Sequence, residues 1–179
     1  MKKAMLVVVA SALLWFIQID RSYAVDMFLF IQGVPGEETQ PPHANWIRVD
    51  STAWSHGVSP GGVTKTQFEA LAVAKRVDFS SPMLALAAAD GRHFQTASLE
   101  FQKPGAQGQP LIFLKVILTD VTVKAYAAGG TATGGPLPTE MVKLGFAKIE
   151  WVYHKLNPDG SLLQPPARTG WDVINNRAN

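Results

Sequence analysis

Cysteine is absent from this 179-residue chain. Its absence excludes disulfides, thiolate nucleophiles and Cys-based zinc sites, and it leaves the fold indifferent to the redox state of its compartment. Charge is scarce as well: Asp, Glu, Lys and Arg make up 17% of the residues, and the formal net charge is only +2. A nucleic-acid surface needs a clustered basic face, so no nucleic-acid partner is expected. Catalytic and metal-binding spacing is also missing. His43, His56, His93 and His154 stand in four separate segments, without the short spacing of a metal site. Ser55 has no Gly-x-Ser-x-Gly setting. Gly61-Gly62-Val63-Thr64-Lys65 lacks the spacing of a phosphate loop. Glu37-Glu38, Glu140 and Glu150 form no recognisable acid–base pair, and isolated carboxylates of this kind are expected at the surface. The chain reads as a non-enzyme with no cofactor and no bound metal.

Apolar side chains, by contrast, make up 47% of the sequence. The length is enough for one domain with a substantial core, and the surplus apolar surface must be buried in that core or against other copies of the chain. The N-terminus has its own character. Lys2 and Lys3 precede an apolar run from Ala4 to about Ile19, followed by Ser22 and Ala24 as small residues before a cut. As a helix this run spans roughly 24 Å, short of the roughly 30 Å hydrocarbon core, so it reads as a secretory signal rather than a membrane span. The other reading is an upstream extension outside the working protein. The domain division is therefore 1–24 as a signal-like or spurious extension and 25–179 as one domain, with no membrane segment in the mature form.

From Val25 onward the texture is β. Strands are expected over 26–31, 46–57, 67–78, 95–103, 111–127 (with a bend at Thr119-Asp120), 139–155 and 170–175. Asn157-Pro158-Asp159-Gly160 reads as a turn, and Gly129 to Pro138 as a flexible link. One helix interrupts the strands at about 82–90. Ser80 or Ser81 can cap its first turn, Pro82 suits the first helical position, and Gly91 supplies a left-handed stop. Asp78 and Ser81 are expected to set the strand-to-helix corner. A run of strands with one embedded helix predicts a mostly β fold, a closed antiparallel β-barrel with one short flanking helix. The run Leu111-Ile-Phe-Leu-Lys-Val-Ile-Leu118 is apolar on both sides, unlike an antiparallel strand with one face in water. One face fills the barrel and the other needs a cover, for which a neighbouring subunit is a candidate. Leu111, Phe113, Leu114, Val116, Leu118, Ile149 and Trp151 are accordingly candidates for subunit interface or core.

Several blocks, in collinear order from Ala24 to Arg177, resemble a known family. They are Ala24-Val25-Asp26-Met27-Phe28-Leu29, Trp54-Ser55-His56-Gly57, and Lys75-Arg76-Val77-Asp78 with Ser81-Pro82. Asp90-Gly91-Arg92-His93, Leu114 to Val121, Pro138-Thr139-Glu140, Leu144 to Glu150 and Gly170-Trp171-Asp172-Val173 continue the series. Together they resemble the haemolysin-coregulated proteins (Hcp), the tube proteins of type VI secretion systems. That resemblance implies a homohexameric ring, and rings stacked into a tube that carries small secreted effectors in its lumen. It also implies a spike protein at the tip and a contractile sheath as partners, and secretion by the type VI route from a cytoplasmic pool. It makes Ser55 a candidate lumen-facing cargo contact. His56 departs from the pattern, since the family often has a second Trp there. The alternative expectation is an exported monomeric β-barrel that binds a small apolar ligand. In that case residues 1–24 act as a cleaved signal, and the protein is periplasmic or extracellular.

Overall fold

A computed structural model describes residues 24–58, 65–105, 109–131, 137–157 and 161–179. The leader, the Gly61-Gly62 loop and the centre of the expected 157–160 turn lie outside the described residues. In chain order the elements are β1 (Asp26–Ile31), β2 (Ile47–Val49), β3 (Ser51–Ala53), β4 (His56–Val58), β5 (Thr66–Phe68), β6 (Leu71–Arg76), α1 (Ser81–Asp90), β7 (His93–Pro104), β8 (Pro110–Gly129), β9 (Thr139–Tyr153), β10 (Ala167–Asp172) and β11 (Arg177–Ala178). The fold is mostly β, as expected, with one helix among the described residues. Nine strands form one antiparallel sheet. Its path runs β11-β10-β9-β8-β7-β1-β2; off this path β3 pairs with β6 and β6 pairs with β9. β4 and β5 form a separate two-stranded ribbon.

The long strands β8 and β9 are the spine. Val116 and Leu118 of β8 are buried, and so are Val121 and Val123. The inward phase thus changes from even to odd residues between Leu118 and Val121. Asp120 lies there with a left-handed φ of 54°, the bend expected at Thr119-Asp120. Asp tolerates this conformation better than most residues because its short polar side chain can hydrogen-bond locally. A second phase change occurs at Asp50. Ile47 and Val49 are buried before it, whereas Thr52 and Trp54 are the half-buried residues after it. The expected continuous strand over 46–57 is therefore three short strands. β2 pairs with β1 and β3 with β6, so the chain changes partner at Asp50, whose N–H donates to Ala74 O. Similarly, the expected last strand over 170–175 ends at Asp172, because the Asp172 carboxylate takes the Asn175 N–H and side-chain amide and turns the chain.

The core contains Leu29, Ile31, Ile47, Leu71, Val73, Leu84, Val116, Leu118, Leu144 and Ile149. Helix α1 lies against β8 and contributes Leu84 and Ala87, both fully buried. Truncating Leu84 to Ala costs roughly 2–5 kcal/mol on general grounds, enough to loosen the helix. The helix stops as expected: Gly91 has φ 68° and its N–H donates to Ala87 O. Its start differs from expectation. Ser80 occupies the N-cap position with helical backbone angles and makes no side-chain cap. Instead Asp78 Oδ1 accepts from Ser80 N–H and Ser80 Oγ, while Ser81 Oγ accepts from Asp78 N–H. Asp78 and Ser81 together form the corner.

Candidate functional site

The sheet formed by β1 and β7 to β10 presents an outward face whose side chains follow from the register. One row reads Arg48, Phe28, Glu100, Lys115, Val152, Arg168 across β2, β1, β7, β8, β9 and β10. The next reads Phe30, Ser98, Ile117, Glu150, Gly170. Half of this face is covered by the segment between β1 and β2. His43 stacks on Phe28, with centroids 4.2 Å apart and rings 10° from parallel, and meets Trp46 edge-on. Trp46 also covers Phe30. His43 Nε2 lies 2.9 Å from Glu100 Oε2, and Lys115 Nζ donates to the other Glu100 oxygen. His43 is 2% exposed and Glu100 4%, so this is a buried ionisable group held by two partners. The segment is closed by Gly36, whose N–H donates to Asn45 O. A Cβ at Gly36 would stand 2.2 Å from Trp46 O, so only glycine permits the approach. Glu38 accepts the Thr39 and Gln40 N–H groups, and the Gln40 bond above all holds its carboxyl below the usual range.

The other half of the face has no such cover among the described residues. Ile112, Lys115, Ile117, Val152, His154 and Arg168 line an open cavity of about 410 Å³ there. Along its β7 border, Ser98 Oγ and Gln102 Oε1 are buried with no hydrogen-bond partner among the described residues. Buried polar atoms are nearly always satisfied, so these two are exceptions at the edge of the open face.

The face of β3, β6 and the first half of β9 that points away from the core has a different chemistry. Register places Ser51 beside Ala74 and Met141, and Ala53 beside Ala72 and Lys143. These are small side chains apart from Met141 and Lys143. Ser55 follows directly and is exposed, with its carbonyl taken by Glu69 N–H.

Inside, the β6–β9 end of the core is filled by charge. Lys75 is fully buried. Its Nζ donates to Glu140 Oε1 and Asp78 Oδ1, each at 2.7 Å, and to Arg76 O at 2.9 Å. Tyr126 OH donates to the second Glu140 oxygen, and burial followed by the Glu140 bond raises the phenol to about 12. Glu140 was expected at the surface. It is buried because it opens the inward alternation Glu140, Val142, Leu144, opposite the inward alternation Leu71, Val73, Lys75. An ammonium in a phase otherwise filled by Leu and Val is the sequence signal for this pair. Glu100 is the second buried carboxylate that sequence reasoning missed.

At the other end, the β4–β5 ribbon brings aromatic rings to β9. His56 stacks on Phe68 at 4.8 Å, and Trp151 lies against both. Of the residues singled out from the sequence, Val116, Leu118 and Ile149 are in the core, while Phe113, Leu114 and Trp151 pack against it and Leu111 is half-buried. The histidines remain apart: His93 pairs with Asp120, His154 contacts Gln164, and His43 and His56 sit as described. Among the described residues no three His, Cys, Asp or Glu side chains converge on a metal position, and no helix is long and apolar enough to cross a membrane.

Comparison with known proteins agrees with this architecture. A family model described as "Type VI secretion system effector, Hcp" matches residues 28–153. The protein hcp1 of Pseudomonas aeruginosa is 33% identical over 162 residues, covering 86% of this chain and 98% of its own. A solved type six secretion system protein superposes with a TM-score of 0.80 at 28% identity, covering 87% of this chain and 100% of its own. Hcp1 of Salmonella typhimurium superposes with a TM-score of 0.69 at 29% identity, over 87% of this chain and 99% of its own. With the family model spanning most of the sheet and a relative aligned over nearly its full length, the chain belongs to the Hcp family of type VI secretion proteins.

Proposed function

We propose that this protein is the repeating subunit of a six-membered ring, and that such rings stack into a tube whose lumen carries small effectors. The observation that carries this reading is the half-covered outward face. The segment around His43 buries Phe28, Phe30 and Glu100, whereas Ile112, Ile117 and Val152 stay open beside the unpaired Ser98 and Gln102 side chains. A neighbouring copy laid on this half buries the isoleucines and Val152 and meets the Lys115 and Arg168 charges at their edge. Val116, Leu118 and Ile149 are committed to the core, so the interface draws on Leu111 and these outward residues instead. A specific interface of this kind should bury more than roughly 1,000 Å² in total. Heterologous contact of one face with a different face of the next copy closes into a ring when the rotation allows it.

We also take the barrel to be closed. β2 and β3 are separated by Asp50 alone, and through them the β1 and β6 edges of the sheet path meet. Closure removes open strand edges, which otherwise invite uncontrolled pairing. The small-residue face of Ser51, Ala53, Ala72 and Ala74 suits a lumen wall, with Ser55 as its cargo contact. Residues 25–179 form the working domain, and residues 1–24 are dispensable for assembly. The partners in this reading are the effectors, a spike at the tip and a sheath outside, and the protein leaves by the type VI route from a cytoplasmic pool. We take the role to be structural, as family membership in type VI secretion suggests.

Native mass spectrometry and negative-stain microscopy of the full chain and of residues 25–179 test the proposal. A particle of six copies in both forms is expected. A stable monomer at micromolar concentration, with bound small ligand, overturns it in favour of an exported ligand-binding barrel.

A further inference from the structure

A half-open pocket of about 330 Å³ lies between the β4–β5 ribbon and β9–β10, with His56, Phe68, Trp151, Thr169 and Trp171 in its lining. Three rings form one wall, with His56 stacked on Phe68 and Trp151 against both. Trp171 supplies the fourth ring. Trp151 pairs in register with Thr169, and Trp171 with Ile149, so the two indoles are diagonal neighbours on one face of the sheet. No ring contact joins them, and both line the pocket. Trp171 Nε1 is buried and has no hydrogen-bond partner among the described residues. Of the lining side chains only His56 can carry charge. The volume lies at the lower end of the range for small-ligand sites.

We propose that this pocket binds an aromatic side chain of a carried polypeptide. The ring packs among His56, Phe68 and Trp151, and a small turn of the Trp171 indole offers its buried Nε1–H to a neighbouring peptide carbonyl. An uncharged planar ring suits walls with no fixed ion, and a carbonyl answers the unpaired Trp171 donor. A carboxylate or ammonium would enter with no fixed counter-charge. That the polypeptide is cargo rests on the tube reading, in which the expected lumen residue Ser55 directly precedes the pocket residue His56 in the chain. The binding chemistry itself does not depend on it.

The test uses full-length protein labelled with 5-fluorotryptophan, with the Trp171 fluorine signal assigned by its loss in Trp171→Phe. N-acetyl-phenylalaninamide is titrated as the probe. A saturable shift of the Trp171 signal is expected, with half-saturation on the order of 1 mM for a fragment of this size. His56→Ala, a change at an exposed residue, should weaken it at least roughly threefold through the lost stacking surface. A linear, non-saturating response, or equal affinity in His56→Ala, overturns the proposal. So does a Trp171 signal that moves with protein concentration before probe is added, because a second copy then fills the pocket. Native mass is read on the same sample. A ring without probe binding removes this inference alone, and probe binding to a monomer removes only the tube reading and the cargo assignment.

Discussion

Lys75 and Glu140 are register partners across the β6–β9 ladder and also a fully buried ion pair, 2.7 Å apart. The same ammonium holds Asp78 at the head of the helix, so one side chain ties strand β9 to the entrance of α1. Removing one member of such a pair leaves an uncompensated buried charge. Lys75→Met should therefore lower unfolding free energy by roughly 3–5 kcal/mol in denaturant titrations. Adding Glu140→Gln should recover part of that loss. A single variant within about 1 kcal/mol of the parent would remove the pair from the account of stability.

Tyr126 gives the same network an alkaline limit. Its phenol ordinarily titrates near 10 and is raised to about 12 by burial and the Glu140 bond. A raised value means that the folded state holds the proton more tightly. The contribution is complete below pH 10 and disappears as pH climbs toward about 12. Thermal melts of the parent should lose ground against Tyr126→Phe over that interval and hold a constant margin below it.

Asp172 behaves in the opposite sense. Its carboxyl is lowered from 3.8 to about 2, first by the Asn175 N–H, then by the Asn175 amide, with Lys148 as a lesser contributor. A depressed value favours the folded state when the group is ionised. The stabilisation is present above pH 3.8 and fades as pH falls through about 2. The margin of the parent over Asp172→Ala in melting temperature should close across that window. A margin independent of pH would mean that the Asn175 turn does not depend on the ionised carboxylate.

Val116 and Ile117 are neighbours in sequence that serve opposite faces. Val116 is fully buried, whereas Ile117 lines the open cavity of the outward face. Val116→Asp buries an unpaired charge and should abolish cooperative melting, at a cost of several kcal/mol. Ile117→Asp should keep the monomer's circular dichroism and melting behaviour but shift native mass from ring to monomer. Assembly that survives Ile117→Asp would move the interface elsewhere.

Much of the fold was legible because periodicity and punctuation agreed. Pro82 and Gly91 bounded the helix, and Thr119-Asp120 marked the bend. The blocks from Ala24 to Val173 were enough to indicate the Hcp family. What remained hidden was long-range. The break at Asp50 depends on which strand lies beside each half, and that is a property of the assembled sheet. Where Ser80 or Ser81 was expected to cap, the Ser80 N–H and hydroxyl instead donate to Asp78, because Lys75 fixes its carboxylate at the corner. Glu100 lies in the strand expected over 95–103 with no local sign of full burial, yet His43, from a segment 57 residues away, covers it. The candidate surfaces were legible only as a doubled apolar strand. Which of its residues turned outward was set by the register with β7 and β9.

Asp120 lets a single strand line the interior with even-numbered residues on one side and odd-numbered ones on the other. Excising that residue would put Val121 two places after Leu118, where plain alternation keeps Val121 and Val123 inward. The loss would fall on the pairing instead, since every residue beyond the cut would slide by one against both neighbouring strands.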